Sequence, residues 1–323
     1  MADPELQRQE ELLQQAESFR YNAHTMINDM ELMSTRNTSW LVDEVLHSIF
    51  FLGKINKPPF TPKQILSDDV EVISHFKNKY PRPFDLYSSK EPRSIPVPRR
   101  GPFSCFLDMV VHLTGQDNKE EIIQELQQFI GTLKGSVNEK PLVSRTICVS
   151  QSRSPGSVRY YGVSMSANAA RRKKVLIGAS CLRKWDSYVA DAVMTFYPER
   201  GTEGFARKTY FDGTIQVPEQ HVRCETFDLY NGEVKPPCKS CHELFGLTGH
   251  TGRVNPYGNC AEAESLSNLF QGDKAVRRKV LPPPGGDRAR AERTVNDTVR
   301  SLVRSFKAFN KWTGGEGGFY TPQ

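Results

Sequence analysis

The sequence predicts an α/β protein in which a helical N-terminal region, residues 1–135, precedes a mixed β-sheet flanked by helices in residues 140–323. Three observations support this prediction. Apolar residues recur every three or four positions through most of the first region, which is the period of amphipathic helices. Segments rich in Val, Ile and Tyr begin after Gly135, and such segments between Ser, Pro and Gly are typical of strands. A last amphipathic stretch, from about Arg288 to Trp312, returns to the helical period.

Helices are predicted through most of the N-terminal region. Over residues 5–33 the apolar positions form one stripe while Gln and Glu fill the opposite face; the stripe consists of Leu12, Ala16, Phe19, Ala23, Met26 and Met30. A second apolar pattern follows, and Gly53 ends it. Thr61 and Pro62 form a cap followed by a first-turn proline, which predicts a short helix through Phe76.

Prolines are dense over residues 80–102, which predicts an extended proline-rich loop. After this loop, the apolar period predicts a helix from Lys119 to Lys134. Asp117 and Glu120 have the spacing of a capping box at its start.

The second region is predicted to alternate strands with helices, one of which precedes the cysteine-rich segment. That helix covers residues 182–196, where apolar residues again follow the helical period. The segments with strand composition are 142–149, 158–166, 208–210, 214–217 and 224–230, with 174–177 as a further candidate. The boundary between the two regions is expected at residues 135–140.

Composition and charge exclude several classes of protein. Hydrophobic residues make up 37% of the chain, which excludes a fully disordered protein. Lys and Arg number 43 against 37 Asp and Glu, which permits an anionic partner without requiring one. No run approaches the roughly 18 apolar residues of a membrane span, so no membrane partner is expected. The polar, acidic N-terminus resembles neither a secretory signal nor a transit peptide, and the expected location is the cytoplasm or the nucleus.

Three of the seven cysteines are spaced as metal ligands. Cys238 and Cys241 lie three positions apart after a proline, and Cys260 begins a segment of good helix formers. An odd number of cysteines argues against a disulfide framework. Three cysteine ligands leave one zinc coordination position open to water, which is typical of a catalytic site. Glu262 is close enough in sequence to reach that water, whereas Glu264 is expected to be a solvated helix residue, with a role as a second acid as the alternative.

The motifs Pro-Cys-x-x-Cys and Cys-Ala-Glu resemble those of the zinc-dependent cytidine and nucleotide deaminase superfamily. The resemblance implies that Cys238, Cys241 and Cys260 bind Zn²⁺ and that Glu262 is the catalytic proton shuttle. It also implies a deaminase-like α/β domain over residues 140–323 and hydrolytic removal of an amino group from a base. The substrate would be a nucleoside, a nucleotide or a nucleic acid. In most members the element that contains the glutamate precedes Pro-Cys-x-x-Cys, and here the order is reversed.

Two non-catalytic functions remain open from the residues themselves. A fourth ligand at Cys224, His242 or His250 would close the zinc site to water and make the protein a zinc-stabilised interaction module. The loop around His250 is rich in Gly and Thr, and it either borders a pocket or is a surface turn.

The second non-catalytic function is that of a nucleic-acid-binding module, and clusters of Lys and Arg would support it. They lie at residues 171–174 and 277–279 and along the last helix. Such clusters contact phosphates in nucleic-acid-binding proteins, although they are more often solvated faces. The apolar stripe of the N-terminal helices is expected to be core or a surface for a protein partner.

Overall fold

The computed structural model describes residues 4–88, 95–136, 140–167, 169–198, 207–313 and 318–323. Within them the protein is mixed α/β, with thirteen helices, a four-stranded antiparallel sheet and a two-stranded sheet. The N-terminal region, residues 1–135, is helical in its described part, as predicted. Its helices are α1 (Pro4–Met33), α2 (Ser39–Lys54), α3 (Pro62–Ile65), α4 (Val70–Lys79), α5 (Pro81–Ser88), α6 (Pro102–Thr114) and α7 (Lys119–Thr132).

The region after residue 140 contains all the strands of the described residues. Its elements are β1 (Thr146–Ser152), β2 (Arg159–Val163), α8 (Ala170–Arg183), α9 (Ser187–Phe196), β3 (Phe211–Asp212), β4 (Val222–Asp228), β5 (Val234–Lys235), α10 (Lys239–Phe245), α11 (Ala261–Gly272), α12 (Lys274–Lys279), β6 (Gly285–Gly286) and α13 (Arg288–Arg304). A short 3₁₀ helix, Lys307–Phe309, follows α13, so the last α-helix ends before the predicted Trp312.

The larger sheet has the strand order β2-β1-β4-β5, and every neighbouring pair is antiparallel. Ile147 in β1 lies between Val163 in β2 and Phe227 in β4. The prediction of a mixed sheet is therefore wrong for the described strands. The β1–β2 and β4–β5 pairs are hairpins with short connections, whereas parallel neighbours need a crossover of a dozen or more residues.

Helix α11 lies against β1, β2 and β4 and also contacts α9 and α12. Its first residues, 261–267, are all buried. The close approach of α11 to β2 requires Gly162, because a Cβ there would collide with the backbone at Ala261 and Ser265. This packing fixes the start of α11, which carries the segment Cys-Ala-Glu.

The proline-rich segment 80–102 is not an extended loop throughout, and this part of the prediction is wrong. Pro81 begins α5 and Pro102 begins α6, while residues 89–94 lie outside the described residues. Proline is tolerated in a first helical turn because the N–H groups of that turn have no partner inside the helix.

Several further local predictions differ from the structure. Residues 208–210 and 214–217 form no strand, and the helix predicted from Pro62 through Phe76 is divided into α3 and α4. Residues 174–177 lie inside α8, because a short apolar run has the same composition in a buried helix and in a strand. The start of α7 is capped at Asn118 without a side-chain hydrogen bond, so the predicted capping box of Asp117 and Glu120 is not formed.

One continuous hydrophobic core includes residues of both predicted regions. Helix α6 of the first region contacts β2 of the second. The division at residues 135–140 stays a prediction, and residues 137–139 lie outside the described residues. None of the helices in the described residues has the length and apolarity needed to cross a bilayer.

Helix α2 is buried along almost its whole length, including polar residues on the face opposite its apolar stripe. The C-terminal segment covers part of that face: the Tyr320 hydroxyl donates to Asp43 Oδ2 at 2.7 Å, and the Tyr320 ring stacks on His47 with centroids 3.8 Å apart. Glu44 accepts a hydrogen bond from Arg100 at 2.8 Å. The sequence pattern of α2 therefore identified its apolar stripe but not the burial of its polar side.

Acid is expected to destabilise the protein through His47. The ring is fully buried, its Nε2 donates to Pro96 O at 2.9 Å, and burial lowers the pKa of His47 from 6.5 to about 3. Because the folded pKa lies below the unfolded pKa, the stability due to the neutral ring is complete above pH 6.5 and is lost as the pH falls toward 3. The variant His47→Gln keeps an N–H donor. We expect it to remove up to about 1.4 kcal/mol per pH unit from the slope of the unfolding free energy in this window.

Denaturant unfolding of the native chain and the variant across this pH range measures that slope. His112→Gln, at an exposed histidine, is the matched control and should leave the slope unchanged. A His47→Gln variant with the native slope would contradict the prediction.

Candidate metal centre

The three cysteines predicted to bind a metal lie together. Cys238 immediately precedes α10, Cys241 lies inside α10, and Cys260 immediately precedes α11. The Sγ atoms of Cys238 and Cys260 are 3.5 Å apart, and all three Sγ atoms lie within 4.8 Å of one another. Zinc–sulfur bonds of about 2.3 Å in a tetrahedral site require sulfurs roughly 3.8 Å apart. The trio can therefore hold a metal ion, and its donor atoms suit zinc.

No fourth His, Cys, Asp or Glu joins this trio among the residues that the structure describes. Cys224 instead contacts a different cysteine, with its Sγ 3.3 Å from Cys148 Sγ. His242 Nδ1 lies 3.0 Å from Leu247 O, and His250 is exposed with its ring centroid 4.5 Å from that of His242. None of the three candidate fourth ligands closes the site.

The loop between α10 and α11 folds back over the start of α10. The Lys239 N–H donates to Arg253 O at 2.8 Å, which brings Asn255 next to the sulfurs. Asn255 Nδ2 donates to Cys260 Sγ at 3.5 Å. Sequence reasoning missed Asn255, because an Asn-Pro pair indicates a turn and carries no sign of a contact with a cysteine.

The protonation of the trio is uneven. Hydrogen bonds from Cys241 and Cys260 lower the pKa of Cys238 to about 2. Their hydrogen bonds with Cys238 are also the main reason why the pKa values of Cys241 and Cys260 lie well above the ordinary value of a thiol. The raised pKa values favour the protonated thiols of Cys241 and Cys260, and the lowered pKa favours the thiolate of Cys238. A metal ion that binds all three as thiolates would displace these protons, so its affinity should increase with pH.

Glu262 lies beside the trio and is shielded from bulk water. It is 4% exposed, and nearby Thr226 of β4 and Cys241 lower its pKa by less than burial raises it. Burial raises the pKa of Glu262 to about 7. A carboxyl group with such a pKa can both accept and donate a proton near neutral pH. The structure thus places the acid next to the sulfurs, while its catalytic role stays a prediction.

Glu264 is buried rather than solvated, so its expected exposure is wrong. It accepts a hydrogen bond from the Val163 N–H at 2.9 Å and another from the Ser104 hydroxyl. Burial raises the pKa of Glu264. These bonds join α11 to β2 and to α6, which gives Glu264 a structural position. The sequence pattern of α11 does not reveal this position because the contact with α6 is distant in sequence.

A cleft of about 970 Å³ opens beside the trio, with Cys238 and Cys260 in its wall. Its lining also includes residues of α1, of the segment between β2 and α8, of the start of α8, of the segment before β1, of β5 and of the loop that contains Asn255. That loop contributes Thr251 and Arg253 to the lining, whereas His250 lies outside it. The predicted border of a pocket is therefore formed by neighbours of His250.

No protein-family model, curated protein or solved structure matches this chain.

Proposed function

We propose that the protein is a zinc-dependent hydrolytic deaminase that acts on an amino-substituted base. The proposal depends on one observation: three thiols from the starts of two helices meet beside the buried acid Glu262. The motifs that resemble those of zinc-dependent deaminases both lie within residues 237–262, in reversed order. Their spatial meeting supports a common function, because metal chemistry depends on where ligands converge and not on chain order.

Each side chain at this site has a separate part in the proposed reaction. Cys238, Cys241 and Cys260 would hold zinc, which when bound supplies a Lewis acid that activates water near neutral pH. Asn255 would orient one ligand through its hydrogen bond to Cys260 Sγ. Glu262 would accept a proton from water and donate it to the leaving amino group. The burial of Glu262 keeps its carboxyl group next to the sulfurs and away from bulk solvent.

The cleft offers room for a substrate at this site. Small-molecule sites commonly have volumes of roughly 300–1,000 Å³, and this cleft has about 970 Å³. Because Cys238 and Cys260 form part of its wall, a base bound there would lie against the metal ligands.

The proposal is tested with the full-length chain purified after expression in zinc-supplemented medium. We expect one zinc ion per chain by elemental analysis and ammonia release in a coupled assay. The assay should include cytosine, adenine and guanine, each as the free base, the nucleoside, the nucleotide and a single-stranded oligonucleotide. A chain stripped of metal by a chelator is the control and should release none.

A different result would favour the alternative function. Stoichiometric zinc without ammonia from any compound would overturn the deaminase proposal and support a non-catalytic, zinc-stabilised interaction module.

A further inference from the structure

The cleft beside the trio is strongly basic. Its lining includes Lys57, Lys140, Arg145, Arg172, Lys235 and Arg253, and no Asp or Glu of the described residues contributes to it. A concave surface lined by one sign of charge concentrates ligands of the opposite sign. The expected ligand is therefore an anion.

Several cations of this cleft already have partners. Arg145 Nε donates to Asp228 Oδ2 at 3.0 Å, and Lys235 forms an ion pair with the same carboxylate. Lys140 Nζ donates to Ile130 O. These side chains are positioned by the protein and do not depend on a ligand for a partner.

Arg172 differs from them because it is half-buried and no acidic side chain of the described residues is paired with it. Burial lowers the pKa of Arg172 below its ordinary value, which means that loss of hydration is not offset by a nearby carboxylate. Desolvated charges in proteins are normally paired. An anionic ligand in the cleft would supply the missing partner.

The position of Arg172 on α8 is a second, independent indication. Four consecutive cations, residues 171–174, lie at the start of α8, and its first turn contains no acidic residue. The N-terminal end of a helix carries partial positive charge, so cations there are unfavourable for the isolated helix. Sequences depart from such local preferences, here the avoidance of cations at a helix N-terminus, mostly at functional sites.

The other basic clusters contain arginines that are paired with acidic side chains, and they lie away from this cleft. In α12, Arg277 Nε donates to Asp186 Oδ2 at 3.0 Å, and in α13, Arg288 Nε donates to Asp191 Oδ1 at 2.8 Å. Neither α12 nor α13 lines this cleft. Of the three predicted clusters, the one at residues 171–174 is therefore the candidate for an anion site.

We propose that Arg172 binds a phosphate group of the substrate, so that the cleft takes a phosphorylated nucleotide or a single-stranded nucleic acid in preference to a free base or nucleoside. The preference for a base rests on the proposed deaminase function, whereas the phosphate site rests on the charges of the cleft. An arginine guanidinium can hold a phosphate through two parallel hydrogen bonds.

Equilibrium binding tests this proposal without requiring catalysis. The native chain is titrated with nucleoside monophosphates, with the matching nucleosides and with a fluorescent single-stranded oligonucleotide. We expect the phosphorylated probes to bind and the nucleosides to bind at least about 10-fold more weakly. A steep decrease of oligonucleotide affinity with salt identifies a polynucleotide ligand, whereas tight binding of monophosphates alone identifies a free nucleotide.

The decisive variant is Arg172→Gln. We expect a loss of about 10- to 100-fold in affinity for the phosphorylated probe, no change for the nucleoside, and an unchanged or higher thermal unfolding midpoint. Arg172→Lys should recover part of the affinity because it restores the charge without the planar guanidinium. Arg171→Gln is the matched control: its side chain is exposed, lies over the Phe306 ring and is absent from the cleft lining.

The binding and ammonia-release experiments can overturn the phosphate site and the deaminase function independently of each other. Equal binding of phosphorylated probes by the native chain and Arg172→Gln, or no binding of them by the native chain, would overturn the phosphate site even if ammonia is released. Arg172-dependent phosphate binding without ammonia release would sustain the phosphate site and reject the deaminase.

Discussion

Replacing Glu262 by Gln is expected to decrease ammonia release by about 100- to 10,000-fold, which is the usual contribution of a general acid–base group. Gln has nearly the same shape as Glu, so the variant should fold and keep its zinc. It cannot take a proton from water and pass it to a leaving amino group, and this is the reason for the loss. The measurement is the rate of ammonia release per zinc-loaded chain, together with the zinc content.

Glu264→Gln is the matched control, because it makes the same chemical change two positions further along α11. Glu264 accepts hydrogen bonds from Val163 and Ser104, and an amide can accept only with its oxygen, so this variant should lose stability by about 1–3 kcal/mol. Its rate per zinc-loaded chain should stay within about 10-fold of the native rate. A Glu262→Gln variant as active as Glu264→Gln would show that Glu262 does not carry the proton.

Replacing Cys241 by Ser is expected to remove bound zinc and most of the stability that zinc provides. Cys241 is 1% exposed and its thiol lies inside the trio, so a hydroxyl in its place leaves two sulfur donors. A ligand that binds only the folded chain stabilises it by about 2.7 kcal/mol when present at 100 times its dissociation constant. A chelator should therefore lower the thermal unfolding midpoint of the native chain and leave that of Cys241→Ser nearly unchanged.

Cys181→Ser provides the matched control at a buried thiol outside the trio. It should keep one zinc ion per chain, and its midpoint should still fall when a chelator is added. Native zinc content in Cys241→Ser would exclude Cys241 as a ligand and leave the trio without a metal function.

The reversed order of the two motifs has a simple physical consequence. Cys238 and Cys260 each lie immediately before a helix, and the loop between those helices returns the chain to the start of α10. The ligands meet because the loop brings the chain back to the start of α10. The turn residues of the loop allow the chain to reverse its direction in this way. Chain order is thus no obstacle to a site of three sulfurs and one acid.

The residues of the metal centre show which parts of the site can be predicted from the sequence and which cannot. The cysteine spacing identified all three members of the trio, because ligand spacing at helix starts is a local property. Asn255 could not be identified in this way, since its contact with Cys260 depends on how the loop folds. The sequence predicts Glu264 in solvent because glutamate is seldom fully buried, whereas its partner Ser104 lies 160 positions away.

The sequence by itself determined the helices of the N-terminal region, the approximate location of the three longest strands and the identity of the candidate ligands. These depend on apolar period, β-branched composition and residue spacing, which act over short stretches of chain. Only the tertiary structure decided that the sheet is antiparallel, that α2 is buried on its polar side, and that Arg172 faces a basic cleft beside the sulfurs. Each of these depends on packing between segments far apart in the chain, and no local pattern encodes such distances.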